Sequence, residues 1–200
     1  MRTDLRRTFI SNQQGFSLIE LLITLALAGV VMGAIYGVFI SSNRSYRTQD
    51  NIADAQQRVR VGIDFMVDDI RVAGLDPLNS GNFGIENATA TNLRFTSDID
   101  LNGVVDAPLG QERITYAYDA VNRTLRRCLY EGTGSETWQT LIRNVSALTF
   151  NYLDGSGNVT GTLADIRQIV IILTCAATDA QGKAINRTLS TQVICRNLFM

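Results

Sequence analysis

The sequence predicts an α+β fold, in which one long N-terminal helix packs on an antiparallel β-sheet. Two patterns support this fold class. Apolar residues recur at helical spacing as far as Ala73, and from Leu93 onward short apolar stretches separated by turn residues follow strand spacing. The helix and the strands therefore occupy separate parts of the chain.

The first half of the helix, residues 16–43, has the composition of a membrane span. Glu20 is the one Asp, Glu, Lys or Arg residue in it. As a helix, the apolar run from Phe16 to Ile40 reaches roughly 37 Å at ~1.5 Å per residue, against about 30 Å for the hydrocarbon core of a bilayer. A secretory signal peptide would have a shorter apolar core followed by a small-residue cleavage site. We therefore expect a single membrane-spanning helix.

Residues 1–15 form a short basic segment in front of this span. Arg2, Arg6 and Arg7 outweigh Asp4. Positive charge on a short flank is retained on the cytoplasmic side of a membrane. The segment is thus expected to be cytoplasmic, and the bulk of the chain to face the periplasm.

The second half of the helix, residues 44–75, is amphipathic and is expected to pack on the sheet. A coiled coil is the alternative, but Gly62 interrupts the apolar stripe. Gly74 and Pro77 form a stop signal, so the helix should run from about Phe16 to Ala73. The stripe consists of apolar residues spaced three, four or seven apart: Ile52, Val59, Ile63, Met66, Ile70 and Ala73.

Residues 76–200 are predicted to form an antiparallel β domain. Strand-like stretches alternate with turn-rich pieces such as residues 153–158. Both faces of residues 166–175 are largely apolar, which favours a central strand. The predicted strands are 93–96, 114–118, 124–130, 147–152, 166–175 and 188–195.

The composition argues against catalysis and against nucleic-acid binding. The chain has no histidine, and most hydrolase triads, zinc sites and haem ligands depend on imidazole. Lys183 is the one lysine. The net charge of −1 provides no broad basic surface for nucleic acid. The sequence therefore predicts a protein that is not an enzyme.

The border between the basic segment and the apolar run carries a specific motif. Gly15 is followed by Phe16 and, four residues further on, by Glu20. This GFSLIE string resembles the type IV prepilin signature. The alternative interpretation of the basic segment and apolar run is a plain signal anchor, which would not be cleaved. The resemblance implies that a prepilin peptidase cuts between Gly15 and Phe16 and that Phe16 becomes an N-methylated terminus.

Glu20 can be interpreted without the resemblance. A carboxylate inside a bilayer costs roughly 2.5–3.5 kcal/mol on insertion scales, so it should have a partner. Cleavage before Phe16 creates a cationic amine that can neutralise it, in the same subunit or a neighbour. We therefore expect a role in assembly. Gly29, Gly33 and Gly37 are spaced four apart, which favours close helix contacts between subunits.

The order of segments beyond the membrane run resembles PilW-type minor pilins. The resemblance rests on the RVRVGIDFMVDDIRVAGLDP helix end, the DIDLNG loop, ERITYAYD before TLRR, LIRNVSALTFNYLDGSGN and IRQIVIILTC. It implies a structural subunit in the inner membrane that later enters a pilus and helps to initiate or cap it. The implied partners are prepilin peptidase, minor and major pilins, the inner-membrane assembly platform and membrane lipid.

Two alternative functions remain open. The minor pseudopilin J of type II secretion shares parts of the same plan, and the chain is long for a major pilin. The second alternative belongs to a different functional class: a membrane-anchored, adhesin-like protein whose outer domain recognises a surface.

Three cysteines lie in the part expected outside the cytoplasm, where disulfides persist. A hairpin around residues 179–183 would place Cys175 opposite a residue near position 189, out of direct register with Cys195. A disulfide from Cys128 to Cys175 or Cys195 is therefore at least as plausible as one between the last two. Without histidine or a C-x-x-C pair, a zinc or haem site is disfavoured.

The DIDLNG loop opens like the oxygen-ligand loop of an EF-hand. Leu109 stands at the twelfth place instead of glutamate, which excludes a standard EF-hand, but Glu112 offers a substitute carboxylate. An ordinary solvated turn is the alternative, and no other cofactor is expected. The candidate Ca²⁺ ligands are Asp98, Asp100, Asn102, the Val104 carbonyl, Asp106 and Glu112.

Overall fold

The structure, a computed structural model, describes residues 15–106 and 111–199. The chain divides into two compact units, Met1–Ser45 and Tyr46–Met200. The described part of the first unit consists of the start of helix α1, which runs from Leu18 to Arg71. The second unit holds the rest of α1 and all the strands.

In the part of the chain that the structure describes, eight strands follow the helix and form two antiparallel sheets. The first sheet has the order β1-β2-β3-β4-β5, and the second has the order β6-β7-β8. Two short 3₁₀ helices, Leu163–Asp165 and Arg196–Phe199, flank the last two strands. The strands are β1 Ile85–Ala88, β2 Asn92–Thr96, β3 Arg113–Asp119, β4 Thr124–Leu129, β5 Thr137–Arg143, β6 Val145–Leu153, β7 Gln168–Thr178 and β8 Ala184–Ile194.

The structure confirms the predicted α+β class, with a long N-terminal helix packed on antiparallel strands. It differs from the expectation in having two sheets instead of one, and it contains two strands that the sequence did not predict. Strand β1 has only four residues, and the first four residues of β5 are exposed, so neither shows a clear apolar alternation. Strand β7 is central in its sheet, as predicted.

Helix α1 contacts both sheets through one apolar face. Its buried residues include Val59, Ile63 and Met66. A Cβ at Gly62 would collide with the side chain of Ile142 on β5 and approach that of Leu173 on β7. Glycine therefore permits the close approach of the helix to the two sheets, and the residue that interrupts the stripe is part of the packing.

The helix ends two residues earlier than predicted. Arg71 is its last residue, and the Ala73 N–H donates to the Ile70 carbonyl in a tighter final turn. Gly74 has a φ of 75°, a left-handed conformation that glycine adopts without strain, and its N–H donates to the Thr96 carbonyl on β2. The predicted stop signal therefore acts as a cap that ties the helix end to the first sheet.

Candidate functional site

The Gly15–Phe16 bond lies in non-helical backbone immediately before α1. The Phe16 side chain is 82% exposed, and no atom lies within 4 Å of the position that a Cβ on Gly15 would occupy. The bond is therefore not held in regular secondary structure, and the side chain that follows it is open to solvent. The basic residues Arg2, Arg6 and Arg7 lie outside the described residues.

Glu20 lies in the first turn of α1. Its N–H donates to the Ser17 carbonyl at 3.1 Å, and the Leu21 N–H donates to the same oxygen at 3.2 Å. A carboxylate at this position is favoured by the positive end of the helix dipole. Within the described ranges it forms no ion pair with an arginine or lysine. Phe16 lies four residues, about one helical turn, before it.

The first part of α1 exposes a continuous apolar surface. Its most apolar window has a mean hydropathy of 2.4, and none of that window is buried in the protein. Water is a poor solvent for such a surface, so a membrane or other apolar helices must cover it. Nothing lies within 4 Å of a Cβ built on Gly29, Gly33 or Gly37, which leaves room for a neighbouring helix.

The acidic loop after β2 brings together three of the six residues proposed as Ca²⁺ ligands. Carboxylate oxygens of Asp98, Asp100 and Glu112 lie within 4.8 Å of one another. Asp98 and Glu112 are fully buried, whereas Asp100 is exposed. Asn102 connects to the cluster through its Nδ2, which donates to Asp100 at 2.9 Å and to Asp106 at 3.2 Å.

Backbone N–H groups hold the two buried carboxylates. Asp98 accepts from the N–H groups of Asn102 and Gly103 at 3.0 and 3.1 Å. Glu112 accepts from the N–H groups of Ile99 and Asp106, each at 3.1 Å. A carboxylate oxygen has about two lone-pair sites, so these contacts leave acceptor capacity on both groups.

The remaining predicted ligand, Val104, lies at the edge of this loop. Its N–H donates to the Asn102 Oδ1 at 2.7 Å. Gly103 has a φ of 77°, a left-handed conformation that glycine adopts without strain and that permits a sharp turn in the loop. Among the described residues, no arginine or lysine pairs with Asp98, Asp100 or Glu112. The loop therefore concentrates negative charge that a hard cation would balance.

The structure contains a polar network that the sequence reading missed. The Tyr116 hydroxyl donates to Asp69 Oδ2 at 2.6 Å, and Arg127 Nε donates to the same oxygen at 2.8 Å. Burial, followed by the Asp69 charge, raises the pKa of Tyr116 well above its usual range. The network joins the helix to β3 and β4, so its role is to fix the helix on the first sheet.

The three cysteines are buried and form no disulfide in this structure, whereas the sequence left open a bond from Cys128 to Cys175 or Cys195, or between the last two. Cys128 lies on β4 in the first sheet, whereas Cys175 lies on β7 in the second and Cys195 follows β8. Cys175 pairs in register with Arg187, so it is out of register with Cys195, as predicted. Burial raises the pKa of all three thiols, to about 12 for Cys195.

Comparison with known protein families gives a match at the N-terminus. Residues 10–36 match the family described as the prokaryotic N-terminal methylation motif. No curated protein matches the chain. The matched segment includes Gly15, Phe16 and Glu20. Together with the apolar helix and its packing on antiparallel strands, this motif supports a type IV pilin-type protein, a structural subunit of the pilin or pseudopilin kind anchored in the inner membrane.

Proposed function

We propose that the protein is a minor pilin of the PilW type, which helps to initiate or cap assembly of a type IV pilus. One arrangement carries the proposal. An exposed Gly15–Phe16 segment precedes an exposed apolar helix, and Glu20 lies in the first turn of that helix. This arrangement suits a chain that is cleaved before Phe16 and whose apolar helix is retained for assembly into a filament.

In this proposal the apolar part of α1 has two successive environments. It first lies in membrane lipid, with the β domain in the periplasm, and prepilin peptidase removes residues 1–15. The inner-membrane assembly platform then transfers the helix from lipid into a bundle with the helices of minor and major pilins. The surface remains apolar throughout, so the transfer exchanges one apolar environment for another.

A strain that lacks the protein tests this function. We expect it to lose most surface filaments while type II protein secretion continues, because initiation of the pilus requires the minor subunits. The full chain, tagged at its C-terminus and returned to the strain, should restore filaments and be found at their tips. Lost secretion with normal filaments would instead identify a pseudopilin J. Normal filaments and secretion with lost surface attachment would identify an adhesin-like protein.

We also propose that the acidic loop binds Ca²⁺. Oxygen-rich coordination would use side chains of Asp98, Asp100 and Asn102, the Val104 carbonyl, and Asp106 or Glu112. The supporting observations are the convergence of Asp98, Asp100 and Glu112 within 4.8 Å and the absence, among the described residues, of an ion pair to any of the three. A divalent cation would reduce the repulsion between these carboxylates.

Calcium is therefore expected to raise the free energy of unfolding. A ligand that binds the folded state alone adds RT ln(1 + [L]/Kd), about 2.7 kcal/mol at a hundredfold excess over Kd. Thermal unfolding of the full chain in detergent, with calcium and with chelator, measures this gain. Asp100→Ala should abolish it, since Asp100 is exposed and its loss leaves the core intact. Asp64→Ala removes an exposed helical carboxylate and should retain it. Superimposable wild-type curves at millimolar calcium would identify an ordinary polar turn.

A further inference from the structure

The two sheets have four edge strands, and three of them are protected against pairing with another chain. Strand β1 has four residues and a register shift, and the β4–β5 ladder contains another shift. Strand β6 abuts the first sheet, because the Val145 and Phe150 N–H groups donate to the Arg123 and Ala90 carbonyls. Short strands, bulges and covering segments are the usual means of blocking an edge.

Strand β8 has none of these protections. Its eleven residues pair with β7 in one continuous register without a shift. At the two ends of this hairpin, the Asp179 N–H donates to the Lys183 carbonyl and the Cys195 N–H donates to the Arg167 carbonyl. Lys183 and Cys195, the two residues bonded at these ends, both have odd numbers. Because hydrogen-bonded pairs alternate along an antiparallel ladder, the odd-numbered residues of β8 form the hydrogen bonds to β7.

The even-numbered residues of β8 consequently direct their backbone N–H and C=O groups outward, along the free edge. All six have exposed side chains, and none of them is charged. These six positions thus lack the charged side chains that often repel an added strand, and the one charged residue within β8 is Arg187. These residues are Ala184, Asn186, Thr188, Ser190, Gln192 and Ile194.

A groove of about 480 Å³ lies beside this edge, between α1 and β8. Arg60 from the helix and Arg187 from β8 both line it. The Arg187 Nε is buried without a hydrogen-bond partner. Within the described ranges neither arginine forms an ion pair, and the Arg60–Asp64 pair at helical spacing is not formed. The groove therefore has two cationic groups available to a ligand.

We propose that β8 accepts an extended acidic segment of a different filament subunit as an additional antiparallel strand. Backbone hydrogen bonds to the even-numbered residues supply the attachment, and an acidic side chain opposite Arg187 enters the groove. Pairing with β8 of a second copy would instead bring arginines together, which disfavours a homodimer. The inference rests on the proposed function, because it assigns a partner to a filament subunit.

Photocrosslinking in filament-forming cells tests this proposal with the full chain. A benzophenone amino acid at Thr188 should give an adduct with another subunit, and mass spectrometry of the linked peptide should identify a segment with an acidic residue. Ser190→Pro removes an outward N–H without breaking the ladder to β7, so it should lower the adduct yield at least about tenfold. Ser190→Ala keeps the N–H and should retain the yield.

A second pair of variants tests the role of the positive charge in the groove. This test does not require that β8 fold normally with a proline. Arg60→Glu should lower the adduct yield about tenfold, whereas Arg143→Glu, at an exposed position on β5, should not. Equal yields from Arg60→Glu and Arg143→Glu overturn the proposal, as does a linked peptide from β8 of a second copy. Filaments that still depend on the protein but give no Thr188 adduct overturn this inference and leave the proposed function intact.

Discussion

Replacing Gly15 by valine is expected to leave the chain uncleaved and its N-terminus unmethylated. Gly15 has no side chain, no atom beyond its chain neighbours lies within 4 Å of the position that a Cβ would occupy, and Phe16 follows it in non-helical backbone. A branched side chain at Gly15 adds bulk next to the scissile bond and restricts the backbone that must enter the peptidase. The effect should be all or none, since mature subunits form only after this one bond is cut.

Intact-mass analysis of protein from cells with an active prepilin peptidase measures the effect. The wild-type chain should lack residues 1–15 and carry a methyl group on Phe16, whereas Gly15→Val should keep its full mass. Gly29→Val is a matched control, because Gly29 is equally open but lies inside α1. A wild-type mature protein that still begins with Met1 would contradict the pilin interpretation.

The N-terminal third of the protein could be predicted from the sequence because its signals are local. Apolar spacing along α1 reports burial directly, and Gly74 marks the helix end within a few residues. The GFSLIE motif is likewise contiguous. The helix begins at Leu18, two residues later than predicted, so Gly15 and Phe16 lie outside it.

The arrangement of the β domain was harder to predict, because it depends on contacts between distant residues. Tyr116 and Arg127 meet Asp69 across 47 and 58 residues of sequence, and no local pattern marks them as partners. The choice between the possible disulfides depended on the same kind of long-range contact. It required knowing that Cys128 lies in the first sheet, and the sequence did not indicate two sheets.

The acidic loop was an intermediate case. The alternating acids from Asp98 to Asn102 and the turn at Gly103 are local features, and their hydrogen bonds follow from that spacing. Glu112 reaches the loop because β3 pairs antiparallel with β2, which returns the chain to the same end of the sheet. A substitute carboxylate ten residues beyond the motif could therefore be proposed from sequence, but its full burial could not.

The second large effect concerns Glu20. Glu20→Ala is expected to leave membrane insertion and cleavage intact, because neither step requires a carboxylate in the first turn of α1. Assembly should fail, since removal of residues 1–15 leaves a cationic amine on Phe16 that needs a negative partner in apolar surroundings. Glu20→Asp keeps the charge and should retain much of the assembly.

Two measurements on the same strains separate these steps. Intact mass should show processed, methylated protein in both variants. Surface filaments and crosslinks to other subunits should be lost in Glu20→Ala, because breaking a buried charge pair by removing one partner costs about 3–5 kcal/mol. That loss corresponds to a change of roughly a hundredfold or more in the assembly equilibrium. Normal filaments in Glu20→Ala would show that the Phe16 amine is neutralised elsewhere and that the carboxylate has no part in assembly.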